Sequence, residues 1–243
     1  MNIVLLDESE KSGTLSRDDR RSIHIVRVLK KKIGDTIDAG CGGSLGKAEI
    51  LSLDESGIQI RYTPERDAPP LRPIELLAGF PRPIQAGRML KDLASLGVRS
   101  ISFALTELGE KSYAASEFFA SRKFVSSLAE GAEQAGNPLL PSVQTFWSLE
   151  RALSYIAQNP RSDSPTKKIA LHLGEGIPAL GKMDMREKAA ILAVGSERGW
   201  TERETELLRG AGFELRSLGD RILKTETAAV AGISILLSKL GYL

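Results

Sequence analysis

The sequence predicts an α/β protein in two parts, a small β-barrel followed by a larger domain built on a mostly parallel sheet. Three observations predict it. Up to about residue 66, short apolar runs are punctuated by Gly and Asp, which is the rhythm of short strands and tight turns. The stretch DAPPLRP at 67–73 cannot continue regular structure and reads as a linker. From residue 74 onward, apolar runs of strand length alternate with segments of helical periodicity, the pattern of a parallel sheet covered on both faces. The predicted domains are therefore 1–70 and 73–243.

In the first domain, strands are expected at 3–6, 36–39, 48–53 and 58–62. Ile58, Ile60 and Tyr62 alternate with Gln59 and Arg61, so one face of that strand is buried. A helix is expected in the twenties, capped by Ser16 or Asp18, with Ile23, Val26 and Leu29 sharing one face. In the second domain, strands are expected at 74–80, 101–105, 143–146, 169–173, 189–194 and 214–218. Helices are expected at 87–96, 117–134, 149–157, 201–211 and 226–240, and a polar loop at 159–168. Thr201 followed by Glu204 has the spacing of a capping box, and Thr225 or a neighbour is placed to cap the last helix.

Composition bounds the function. Of 243 residues, 42% are hydrophobic and 26% charged, which is ordinary for a folded protein and argues against disorder. The lone Cys41 excludes an intrachain disulfide, and with only His24 and His172 beside it a zinc site is not expected. Cys41 reads as a structural residue. The longest apolar stretch, 228–237, falls short of the ~20 residues of a membrane span, and 1–6 lacks the form of a signal peptide; a cytoplasmic protein is expected. Net charge is only +2, so a nucleic-acid partner requires a local patch. One exists: residues 17–32 hold seven basic and two acidic side chains, although 1–70 as a whole holds 11 basic and 12 acidic ones. Arg20, Arg21, Arg27, Lys30, Lys31 and Lys32 are its candidate RNA contacts.

Three loops follow strands on one edge of the second domain, where open α/β sheets bind ligands. They contain Leu173-Gly174-Glu175-Gly176, then Gly195-Ser196-Glu197-Arg198-Gly199-Trp200, then the run from Leu218 to Ala229, LGDRILKTETAA. None has the spacing of a dinucleotide or Walker loop. Arg221, Lys224 and Glu226 put two cations and a carboxylate beside a glycine turn, more than a helix start needs.

At these residues the chain resembles a family. LGDRILKTETAA resembles the LGxRILRxETAA signature of the ribosomal small-subunit methyltransferase E family, SPOUT enzymes that methylate uridine N3 in 16S ribosomal RNA. GSERGWT at 195–201 resembles its GPEGGFT loop, and HIVRVLKKKIGD at 24–35 resembles its H-x-x-RVLR-x-x-x-GD pattern. LGV at 96–98, EQAG at 133–136 and Pro141 follow in the family order. The resemblance implies a PUA-like β-barrel joined to a SPOUT α/β domain with a deep trefoil knot at roughly 168–243, acting as a homodimer on 16S rRNA or the small ribosomal subunit. It implies S-adenosyl-L-methionine as cofactor and no metal. The cofactor residues would be Leu173, Gly174, Gly195, Glu197, Gly199, Leu218, Gly219, Ile222, Leu223 and Thr225. Glu197 and Glu226 are then the candidate bases, with Arg221 the cation that would stabilise a uridinate or hold a phosphate. Arg198 and Lys224 join the RNA-contacting set. Basic positions of the family are replaced by Asp92, Leu108 and Asn137, and these departures carry a second expectation: a non-catalytic or repurposed RNA-binding member with a different RNA substrate.

Overall fold

The structure, a computed structural model, describes residues 1–160 and 165–243. It divides into one unit of residues 1–70 and 129–140 and a second of 71–128 and 141–243. The loop expected at 159–168 falls in part, at 161–164, outside the described residues.

In the first unit, β1 (Val4–Leu6), β2 (Thr14–Ser16), β3 (Thr36–Cys41), β4 (Ser44–Asp54) and β5 (Gly57–Asp67) form a curled sheet in the order β1-β3-β4-β5-β2. Only β1 and β3 run parallel; the other neighbours are antiparallel. β4 and β5 are longer than expected because β5 carries Pro64 across a register shift, opposite Gly46. A Cβ at Gly46 would collide with the Thr63 carbonyl, so this close approach requires glycine. The linker shrinks to 68–71. Ile37, Ile50, Ile58, Ile60 and Leu15 fill the core, and the expected alternation of β5 is present.

The helix of this unit differs from expectation. α1 (Arg20–Ile23) is capped by Asp19, whose carboxylate accepts from the Arg21 amide at 2.7 Å, and not by Ser16 or Asp18. It continues into a π turn over His24–Val28. Five residues per closed ring shift the phase of the helix face. Ser22 and Ile25 therefore point inward, while Ile23, Val26 and Leu29 are exposed. Cys41 is buried in the core, and burial pushes its thiol pKa up.

The second unit contains β6 (Arg72–Gly79), α2 (Pro83–Ser95), β7 (Val98–Ala104), α3 (Lys111–Ala114), α4 (Glu117–Ala120), α5 (Phe124–Ala135, whose last residues belong to the first unit), β8 (Ser142–Phe146), α6 (Leu149–Gln158), β9 (Thr166–Leu171), β10 (Ala189–Val194), α7 (Glu202–Gly210), β11 (Glu214–Arg216) and α8 (Thr225–Lys239). The sheet order is β11-β9-β10-β6-β7-β8, and every neighbouring pair is parallel. β10 shows why. Ala190, Leu192 and Val194 enter one core with α2 and α8, and Ile191 and Ala193 enter another with α6 and α7. α8 approaches β10 closely at Gly232, where a Cβ would lie 2.6 Å from Leu192.

Helix α2 begins four residues earlier than expected because Pro83 occupies its first turn. The long helix expected at 117–134 is two pieces, α4 and α5, broken where Arg122 takes φ +53°. No helix among the described residues is long and apolar enough to cross a membrane.

Candidate active site

The carboxyl ends of β9, β10 and β11 meet at one cavity of about 360 Å³. Each expected loop contributes: Leu173 from the first; Gly195, Glu197, Arg198 and Gly199 from the second; and Leu218, Arg221, Ile222, Leu223 and Thr225 from the third and the start of α8. Ser196, Trp200 and Ala228, within the expected loops, also line it, as do Leu171, His172 and Val194, which were not foreseen. They directly flank the chosen loop residues, and a strand-end count would have included them.

Specific bonds hold the loops together. The Trp200 indole is buried and donates to the Leu171 carbonyl at 3.1 Å, tying the loop after β10 to β9. The His172 amide donates to the Arg216 carbonyl at 3.0 Å, joining the ends of β9 and β11. The turn at 196–199 closes with the Gly199 amide on the Ser196 carbonyl at 2.8 Å and needs φ +77° at Gly199. A Cβ at Gly195 would sit 2.7 Å from the Gly199 backbone, so only glycine fits there.

Thr201 caps α7 as the sequence predicts. Its hydroxyl accepts from the Glu204 amide at 3.1 Å, and the Glu204 carboxylate accepts from the Thr201 amide at 3.0 Å. At the start of α8 the cap residue is Lys224, the neighbour of Thr225, and it makes no side-chain cap bond. Thr225 is buried, and its hydroxyl reaches the Gly195 carbonyl at 3.5 Å, linking the second loop to α8.

The electrostatics are concentrated at the rim. Glu197 lies 3.7 Å from the Arg82 guanidinium, which also donates to the Tyr113 hydroxyl at 2.9 Å. Arg198 faces Glu110 at 3.5 Å. Arg221 lines the cavity and is exposed. The wall beside it is apolar, and Ile222 is 85% exposed, with Leu173 and Leu223 partly so. Exposed apolar side chains lining a pocket mark a surface that a ligand covers. Gly174, Gly219, Lys224 and Glu226 do not line the cavity. Gly219 serves the turn with φ +118°, and Glu226 lies in the first turn of α8. Among the described residues, no group of three or more His, Cys, Asp or Glu side chains is placed to hold a metal ion.

The basic patch of the first unit is split. Arg21 donates to Glu10, Asp19 and the Leu5 carbonyl and is mostly buried. It holds the carboxyls of Glu10 and Asp19 below the usual range. Arg20 pairs at 2.7 Å with Glu133, whose side chain is 1% exposed. Both arginines are thus ion-paired within the unit, and the Arg20 side chain remains 47% exposed. Arg27, Lys30 and Lys32 are exposed, and Lys31 is half-buried. Asn137 is also structural, donating to the Pro69 carbonyl at 2.8 Å and accepting from the Leu139 amide at 3.0 Å.

A parallel sheet with helices on both faces and a ligand cavity at three strand ends defines an α/β enzyme class, and the profile of the RNA methyltransferase domain matches residues 68–237. The chain is 38% identical to the ribosomal RNA small subunit methyltransferase E of Treponema pallidum (strain Nichols), covering 98% of this chain and 91% of that protein. It is 33% identical to ribosomal RNA small subunit methyltransferase E 1 of Borreliella burgdorferi, covering 99% of both. The chain belongs to the ribosomal RNA small subunit methyltransferase E family. Its fold is similar to the crystal structure of the Neisseria gonorrhoeae family member bound to S-adenosyl methionine, with TM-score 0.74, 24% identity and coverage of 98% of this chain and 97% of that one. It is likewise similar to a probable rRNA-methyltransferase of Porphyromonas gingivalis, with TM-score 0.76, 20% identity and coverage of 98% and 99%.

Proposed function

We propose that this chain transfers a methyl group from S-adenosylmethionine to N3 of a uridine in 16S ribosomal RNA. The observation that carries the reading is the convergence of the three loops on one cavity, in a chain whose family is named for methylating small-subunit ribosomal RNA. Family membership makes it an rRNA methyltransferase. The cavity fits the cofactor. Its volume is in the range of small-molecule sites, roughly 300–1,000 Å³. Leu173, Ile222 and Leu223 offer apolar surface to an adenine ring, and Gly199 leaves open space beside the turn.

When bound, the cofactor supplies an electrophilic methyl on a sulfonium. The chain must align uridine N3 with that methyl and accept one proton as the N–C bond forms and the S–C bond breaks. Glu197 is the carboxylate on the cavity wall and takes the N3 proton; Glu226 is away from the wall and starts α8. Arg82 lies 3.7 Å from Glu197 and helps to position its carboxylate at the wall. Arg221 is exposed on the same wall and stabilises the developing uridinate or holds a phosphate.

The reading extends to the remaining expectations. The curled sheet of the first unit is a PUA-like barrel that presents Arg27, Lys30, Lys31 and Lys32 to RNA, and Arg198 and Lys224 contact RNA near the catalytic wall. The C-terminal segment forms a trefoil knot, the arrangement that the family resemblance implies. The protein works as a homodimer in the cytoplasm. Calorimetry with S-adenosylmethionine tests the cofactor site, and a folded sample that binds none refutes it. Mass mapping of nucleosides after reaction with unmethylated small subunits tests the product. A methyl group found elsewhere than uridine N3 refutes the assignment of the target atom.

A further inference from the structure

A second cavity, of about 320 Å³, opens on the same edge of the sheet at the ends of β7 and β8. Two independent features of its wall lack an explanation in packing. Trp147, between β8 and α6, is 59% exposed and presents its indole at the cavity. Thr106, just after β7, is only 3% exposed, and its hydroxyl has no hydrogen-bond partner among the described residues. That oxygen sits beside Gly109, where the absent side chain leaves space: a Cβ there would be 2.7 Å away. A buried hydroxyl without a partner is unfavourable, so one retained at a cavity wall is set to meet a ligand.

The charges say what kind of ligand. Arg203 lines this cavity, but its guanidinium is already paired with Glu107 and Glu150. With Lys111 as the other cation against Glu107, Glu150 and Glu204, the wall holds one more acid than base and offers no concentrated positive field to a phosphate. An indole face, an unpaired hydroxyl and a wall without excess positive charge suit an uncharged planar group with hydrogen-bonding edges. A nucleobase is such a group, stacking on aromatics and reading polar groups at its edge.

The linings of the two cavities come within three residues of each other along the chain. Trp200 lines the cofactor cavity and Arg203 lines this one. Between them, Thr201 donates to Glu107 at 2.6 Å, and the Glu107 amide donates to Glu204 at 2.9 Å. We propose that this cavity binds an unpaired base of the RNA substrate that flanks the methylated nucleotide, with Trp147 as the stacking platform and Thr106 as the edge contact. The proposal rests on the RNA-methylating reading above.

The test measures binding of a labelled single-stranded oligoribonucleotide of mixed sequence, together with S-adenosylmethionine affinity and methyl transfer to small subunits. Trp147→Ala should weaken RNA binding about ten-fold, the effect of losing one stacked base, and Trp147→Phe should restore most of it. Thr106→Val should also weaken RNA binding while leaving the melting temperature unchanged or higher. Cofactor affinity should be unaltered in all three. Wild-type RNA affinity in both Trp147→Ala and Thr106→Val overturns the proposal. So does a change in sedimentation of Trp147→Ala with RNA affinity intact, which would make the indole a protein interface. Weakened RNA binding by the variants when the wild-type protein transfers no methyl refutes the methyltransferase reading and leaves the base site standing.

Discussion

Replacing Glu204 with Ala should lower the melting temperature by about 6–12 °C. The carboxylate is 1% exposed and accepts from two backbone amides, Thr201 at 3.0 Å and Glu107 at 2.9 Å. Truncation leaves both donors without a partner and removes half of the capping box of α7. Each orphaned donor costs ~1–3 kcal/mol and a cap about 1 kcal/mol. These effects overlap, so a total of about 3 kcal/mol is expected, and a domain of this size loses about 2–4 °C for each kcal/mol. Glu204→Gln keeps one acceptor oxygen but turns an amide donor toward the other N–H, and about half the loss should remain. Differential scanning calorimetry reads both values. The same truncation should weaken cofactor binding, because α7 starts directly after the loop at 195–200. A Glu204→Ala protein melting within about 1 °C of wild type would refute the reasoning that the two amides depend on this carboxylate.

The other predictions concern the arginines and the glycine turn. Arg21→Gln should destabilise the first unit at pH 7. Because Arg21 holds Glu10 and Asp19 below their ordinary pKa values, that contribution is complete above the usual carboxylate range and fades as pH falls through the lowered values. The stability gap between wild type and Arg21→Gln should therefore narrow below about pH 4, and a gap that stays constant to pH 3 in denaturant titrations contradicts it. Gly195→Ala should abolish measurable S-adenosylmethionine binding by calorimetry, since its methyl would press on the Gly199 backbone; unchanged affinity would mean the turn is not the cofactor cradle. Arg221→Ala should cut methyl transfer at least ten-fold with no change in melting temperature, given the exposure of this side chain. Wild-type rates would remove it from the mechanism.

What the sequence made readable follows from how local each signal is. The alternation of Ile58, Ile60 and Tyr62 and the Thr201–Glu204 box depend on neighbours within a few residues, and both are present in the structure. The three loops were readable because each follows a strand, and strand ends of a parallel sheet share an edge. The phase of α1 was not readable, because the π turn at 24–28 places Ile25 inward by tertiary packing that no helical wheel contains. The break before α5 depends on one backbone angle at Arg122, a residue with no turn signature. The ion pairs of Arg20 with Glu133 and of Arg21 with Glu10 were not readable, because these acids are distant in sequence. The unpartnered Thr106 hydroxyl is invisible to any pattern, since only the folded surroundings can leave it alone.

The central pairing of the large sheet has a consequence for how the protein is made. β6 lies next to β10, with Ile74 opposite Ala190, so the middle of the sheet joins residues more than a hundred positions apart. During synthesis β6 emerges with one edge open and stays so until β10 has been translated, while β7 and α2 form beside it. A long-lived bare edge of this kind is slow to close and prone to mispairing. The cofactor cavity is the last part to exist, because two of its walls are delivered by the segment after β10. Pulse-labelled ribosome-bound chains halted before residue 189 should therefore be protease-sensitive across β6, and S-adenosylmethionine should protect only chains that have passed α8.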